Sequence, residues 1–114
     1  MKTDTHMRPT IVCLCGSTKY KDVFEKVTAE ETLAYRIVLA PGTFGQADGI
    51  DFSDDTLKMF DELHRRKIDL ADEVLILNVG GRIGKSTSGE LDYAKKHKKL
   101  IRYLEPVITP KEGE

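Results

Sequence analysis

The chain has little of what marks a secreted, membrane-spanning or polymer-binding protein. Among 114 residues there are two cysteines, Cys13 and Cys15. No second pair is present to complete a zinc site of the usual kind, and no disulfide framework can be built. Standing two apart on a predicted strand, both thiols project to the same face and read as small buried hydrophobes. Lys and Arg number 18 against 19 Asp and Glu, a net charge of −1, so no bulk electrostatic pull acts toward a nucleic acid polymer or an anionic membrane. No apolar run has the length of a bilayer span. The opening residues lack the apolar centre of a signal peptide. There is no internal repeat and no low-complexity segment. These absences leave a cytoplasmic chain as the expectation, with a loose leader over residues 1–9, one domain over 10–106 and a frayed tail over 107–114.

What is present is an alternation. Thr10-Ile-Val-Cys-Leu-Cys15 is a short, nearly continuous apolar run stopped by Gly16, as in a strand buried on both faces. From about Thr18 to Tyr35 apolar residues recur at helical spacing, at Tyr20, Val23, Phe24, Val27 and Ala34. Arg36-Ile-Val-Leu-Ala40 is a second strand, ended by Pro41-Gly42. Thr43 to Ser53 has no period and reads as a flexible loop. Ser53 or Asp54 then caps a helix whose apolar face is Leu57, Phe60, His64, Ile68 and Ala71, with Leu63 beside it. Glu73–Asn78 is a third strand, Gly80, Gly81 and Gly84 form a tight loop, Thr87–His97 is a helix, and Lys99–Leu104 a fourth strand. Val107–Thr109 adds a short edge piece. The alternation predicts an α/β fold, a single three-layer domain with a four- or five-stranded parallel sheet, flavodoxin/Rossmann-like. Ligands in such sheets bind at the carboxyl ends of the strands, and a nucleotide-type site is expected there.

The loops at those ends carry small polar residues. In Gly16-Ser17-Thr18, backbone N–H groups opening a helix favour an anion; the alternative is that Ser17 or Thr18 is only an N-cap. Gly80-Gly-Arg-Ile-Gly-Lys-Ser-Thr87 is not a Walker A loop, because three residues separate Gly80 from Gly84 where four are needed, and no later strand ends in an aspartate to hold magnesium. A phosphate-friendly helix start survives that objection. Thr87 and Glu90 fit an S/T-x-x-E capping box, which alone explains both. The alternative is a carboxylate inside a helix, facing a pocket and kept ionised by the helix N-terminus, as a nucleophile must be. His64 on an apolar helix face is by default a core histidine, with Asp61 three residues earlier on nearly the same face. Glu105 reads as a solvated strand end, and Lys95–Lys99 as surface at a helix C-terminus. Asp48, Asp51, Asp54 and Asp55 do not fit an EF-hand.

From about Ile11 to Glu105 the pattern resembles the nucleoside 2-deoxyribosyltransferase-like superfamily, which includes small nucleotide N-glycosidases. The residues that carry the resemblance are Cys15-Gly16-Ser17, Ala71-Asp72 with Val74-Leu-Ile, and most of all Ser88-Gly89-Glu90-Leu91-Asp92-Tyr93-Ala94. The family places its catalytic glutamate in a run like this last one, and Glu90 falls there. The resemblance implies cleavage of a base–sugar bond. Glu90 attacks the anomeric carbon, and water or a second base releases the sugar, the retaining logic of glycosidases. It further implies that Gly16, Ser17, Thr18, Ser86, Ser88 and Gly89 hold substrate and its 5′-phosphate, that no metal or cofactor is needed, and that the chain is a homodimer. Hydrolysis is expected over transfer. His64 stands where members usually carry an aspartate, with Asp61 one turn earlier, and these two join Glu90 as the catalytic set. The aromatic that stacks on the base would be Tyr20 or Phe44. The alternative is a non-catalytic nucleotide-binding or sensing module on the same fold, with Glu90 as a cap. A weaker similarity, to the lysine-decarboxylase-like nucleotide phosphoribohydrolases, rests on Gly80-Gly81 and Thr87-x-x-Glu90, but the residues from Ile83 to Ser86 break its spacing.

Overall fold

The first apolar run forms β1 (Ile11–Cys15), four of whose five residues are buried, as expected of a strand covered on both sides. In the computed structural model, which describes residues 8–107, the elements that follow are α1 (Lys21–Leu33), β2 (Ile37–Leu39), α2 (Gly45–Asp48), α3 (Asp54–Leu70), β3 (Glu73–Ile76), α4 (Lys85–Lys96) and β4 (Leu100–Tyr103), with a single 3-10 turn at Val79–Gly81. The four strands form one all-parallel sheet in the order β2-β1-β3-β4. The architecture is the expected flavodoxin/Rossmann-like α/β layering, with four strands rather than five. The leader and tail lie outside the described residues except for Arg8, Pro9 and Val107. So does most of the edge piece at Val107–Thr109, and Val107 itself is not in a strand.

The alternation along each strand sorts the core into two clusters. On one face Cys13, Cys15, Val74 and Ile76 pack with Ile68 and Ala71 of the α3 segment and Leu91 and Ala94 of α4. On the other, Val12, Leu14, Leu75 and Leu77 pack with Phe24 and Val27 of α1. The connection from β1 to β2 therefore covers one face and the connection from β2 to β3 the other. Strand order reverses between β1 and β3, and their carboxyl ends open the crevice where α/β sheets bind ligands.

Several boundaries differ from the sequence expectation. Thr18 to Tyr20 form a turn before α1, and the helix stops at Leu33 because Tyr35 takes a left-handed φ of 68°. Lys98, with φ 60°, does the same after α4. Neither is the glycine that usually announces such an end. The stretch read as a flexible loop contains α2, closed at Gly49 in the left-handed region. Gly45 opens α2 against Phe52, where a Cβ would meet the ring at 2.7 Å. No helix among the described residues is long and apolar enough to cross a membrane.

Candidate functional site

A cleft of about 760 Å³ lies at the carboxyl ends of β1 and β3. Its first wall is the Gly16-Ser17-Thr18 loop. Gly16 lets the end of β1 pass close to the strand beside it: a Cβ there would stand 3.0 Å from that of Leu77. Neither Ser17 nor Thr18 is an N-cap, since α1 begins at Lys21 after Tyr20. Both hydroxyls instead reach the Gln46 side-chain oxygen at 3.1 Å, which ties the loop to α2. The loop and the N-terminus of α1 are separated by the turn from Thr18 to Tyr20.

The opposite wall is the start of α4. Its N-cap is Gly84, and no side chain caps it. The capping box at Thr87 and Glu90 is therefore absent: Thr87 lies inside the first turn, buried, and Glu90 lies beyond it. Gly84, Lys85, Ser86 and Thr87 all face the cleft, so the amides left free at this helix start are presented to whatever occupies it.

Glu90 reaches the floor, and its Oε1 is fully buried with no hydrogen-bond partner. Its carboxyl is pushed above the usual carboxylate range by burial, against which the charge of His64 acts. The expectation that the helix N-terminus holds it down fails, because the dipole effect fades beyond the first turn and desolvation dominates. His64, from α3, places Nε2 at 3.8 Å from Glu90 Oε1. The same nitrogen is 3.3 Å from Cys15 Sγ and 3.7 Å from Cys13 Sγ. Burial works to lower the imidazole, but Cys13 and Glu90 outweigh it and the net direction is up. The two thiols act on each other: Cys15 brings Cys13 down to about 6, and Cys15 is pushed up in return.

The cleft thus gathers Gly16, Ser17, Thr18, Asp61, His64, Ser86 and Glu90. It does not gather Ser88, which is exposed outside the cleft, or Gly89, where an added Cβ would stand 3.8 Å from the Arg65 guanidinium. Tyr20 and Phe44 are not in it either: Tyr20 lies under the Lys19 ammonium and Phe44 packs edge-on against Phe24. The aromatic surface of the cleft comes from Phe52 and Phe60, edge to face at 5.1 Å; helical spacing placed Phe60 on an apolar face but assigned neither ring to the site. Sequence reasoning also missed Lys85 at the mouth and the convergence of the two thiols on His64. Glu105 accepts the Gly80 N–H at 2.8 Å while its backbone pairs with Asn78, so it fastens the turn after β3 rather than floating in solvent. Three sulfur and nitrogen atoms, those of Cys13, Cys15 and His64, lie within 4.8 Å of one another and form the one potential metal-binding group among the described residues. Compared with known proteins, the chain matches no family model and no curated protein.

Proposed function

We propose that the protein cleaves the N-glycosidic bond of a nucleoside 5′-monophosphate or nucleoside, in the cytoplasm, with Glu90 as nucleophile. The observation that carries this reading is the Glu90 carboxylate, buried at the floor of a cleft with one oxygen unpartnered. A carboxylate that neither caps its helix nor forms a hydrogen-bonded pair is not explained by folding, and it is poised for a carbon electrophile. In the first step a Glu90 oxygen bonds to the anomeric carbon, the carbon–nitrogen bond breaks, and the base leaves with the electron pair and a proton. Asp61, exposed on the cleft wall, is the acid positioned for that proton. In the second step water attacks the same carbon and gives its proton to Asp61, the bond from that carbon to the Glu90 oxygen breaks, the sugar is released, and Glu90 returns as carboxylate. His64 positions Glu90 and offsets its charge.

The cleft's walls support a phosphorylated substrate. The uncapped start of α4, the Lys85 ammonium and Ser86 face it from one side, and Ser17 and Thr18 from the other. Phe60 and Phe52 offer a flat apolar surface for a base. The resemblance to the nucleoside 2-deoxyribosyltransferase-like superfamily, with a homodimer as its usual assembly, points the same way.

The test is a panel of ribo- and deoxyribonucleoside 5′-monophosphates incubated with the protein, free base being measured by chromatography. Release by the wild type and not by Glu90→Gln is the expected result. No release, with one nucleotide still bound by both proteins, would make the chain a nucleotide-binding module instead.

A further inference from the structure

The contacts of His64 Nε2 cannot all be satisfied by hydrogen bonds. A ring nitrogen offers either one N–H or one lone pair, yet this one faces Cys15 Sγ at 3.3 Å, Cys13 Sγ at 3.7 Å and Glu90 Oε1 at 3.8 Å. Glu90 Oε1 is fully buried and has no partner at all. The two sulfurs and the ring nitrogen lie within 4.8 Å of one another, and one ring nitrogen cannot serve both thiols and the carboxylate. A single ion between the three would be held by all of them.

We propose that Cys13, Cys15 and His64, whose ligand atoms are already grouped, bind a zinc-class divalent cation at the floor of the cleft, with the Glu90 carboxylate turning in from beside His64 as fourth ligand. The spacing fits. Zinc bonds of about 2.3 Å to sulfur and about 2.0 Å to nitrogen or oxygen place tetrahedral neighbours about 3.5 Å apart for sulfur and nitrogen, and about 3.3 Å apart for nitrogen and oxygen. The sulfur–nitrogen separations of 3.3 and 3.7 Å bracket their value, and the nitrogen–oxygen separation of 3.8 Å is about half an ångström longer than its own, so Glu90 must move in to bind. The donor set selects the metal: two sulfurs and an imidazole suit zinc and its soft or borderline neighbours, and do not suit magnesium or calcium. The scaffold is rigid where it matters. Both thiols come from one face of β1, fully buried at the centre of the sheet, and His64 and Glu90 are fixed on α3 and α4 packed over that face. An entry path exists, since His64 and Glu90 line the cleft above the thiols. The sequence alone excluded such a site because it looked for a second cysteine pair; the missing ligands come from two helices far along the chain.

The metal site stands without the glycosidase reading. On that reading, Glu90 cannot at once hold an ion and attack a sugar, so the cation and turnover exclude each other.

The experiment is a cobalt titration of the reduced, metal-free full chain, with no nucleotide present. The expected result is one cobalt per chain, a thiolate-to-cobalt charge-transfer band and the visible bands of tetrahedral coordination, all removed by one equivalent of zinc. A wild-type spectrum without the sulfur band overturns the proposal, and needs no variant to fold. Cys15→Ser and His64→Gln, checked for fold by circular dichroism, are each expected to weaken cobalt binding by about 100-fold or more, since even outer-shell partners cost about 10–100-fold. Unchanged affinity in either overturns the assignment. Glu90→Gln is expected to keep the sulfur band and shift the visible bands; an unshifted spectrum removes Glu90 from the ligand set. Base release measured without metal reads the glycosidase proposal separately, so either can fail alone.

Discussion

Glu90 is where the fold accepts a cost. Burial raises its carboxyl, and its Oε1 has no partner; an unsatisfied buried acceptor costs about 1–3 kcal/mol. A glutamate kept for stability would be found capping its helix or pairing with a cation at hydrogen-bond distance, and the His64 nitrogen at 3.8 Å is too far for the latter. Glutamine has the same shape without the charge. In the metal-free protein, Glu90→Gln is therefore expected to leave the urea midpoint of unfolding unchanged or higher, while base release falls to background. A loss of more than about 1 kcal/mol would instead make Glu90 a residue that holds α4 to its neighbours. Gly16 shows the opposite logic, because its missing Cβ is what lets Leu77 approach.

Among the elements, α3 has the best-defined start. The Ser53 hydroxyl accepts the Thr56 N–H at 3.2 Å, and Asp54 and Asp55 sit in the first turn, where the helix dipole favours them. Ser53→Ala is expected to cost about 1 kcal/mol, seen as a lower urea midpoint at unchanged slope; no shift would mean that the aspartates hold the start alone. The contrast with α4 explains what the sequence made legible. Ser-Asp-Asp announces α3 in the chain's own chemistry. Gly84 opens α4 with no capping side chain, so local reading began the helix at Thr87 and offered Glu90 a capping box that does not form, beside the pocket-facing alternative. The layering, the parallel sheet and the gathering of Gly16, Ser17, Thr18, Asp61, His64, Ser86 and Glu90 at the carboxyl ends of the strands follow from alternation and connection rules, whereas the strand order was not read from the sequence. The same-face projection of Cys13 and Cys15 was legible too, as was the place of His64 on an apolar helix face. That these two faces meet was not, because which helix docks on which strand face is a long-range outcome that no local spacing records. Leu57 and Leu63 mark the same limit: they extend the helix's apolar face, yet both remain about half exposed at the cleft.

At the scale of the molecule the two ends of the sheet differ. The amino ends of the strands are fastened by charge. Arg102 bonds Glu31 and, at 2.7 Å, Glu73, while the Lys99 ammonium donates to the carbonyls of Asp69 and Ala71. The carboxyl ends carry the cleft, with an uncapped helix and an unpartnered carboxylate, so the polar groups that folding leaves unused are concentrated where a ligand can take them. The fastened end makes a pH-dependent prediction. Asp72 accepts two hydrogen bonds from Arg8 at 2.7 Å and one from the Ile11 N–H at 2.8 Å, and Arg8 first, then Ile11, brings its carboxyl down to about 2. The folded value lies below the unfolded one of about 4, so Asp72 contributes its full share above about pH 4 and loses it as pH falls through about 2. Arg8 and Asp72 are well exposed, with side chains 60% and 36% accessible; screening keeps the share small, and salt weakens the Arg8 part more than the amide part. Urea midpoints followed from neutral pH into acid are expected to fall more steeply for the wild type than for Asp72→Asn, the two curves converging at the acid end. Parallel curves would mean that Asp72 does not tie the segment before β1 to the start of β3, and that the acid sensitivity of the fold lies elsewhere.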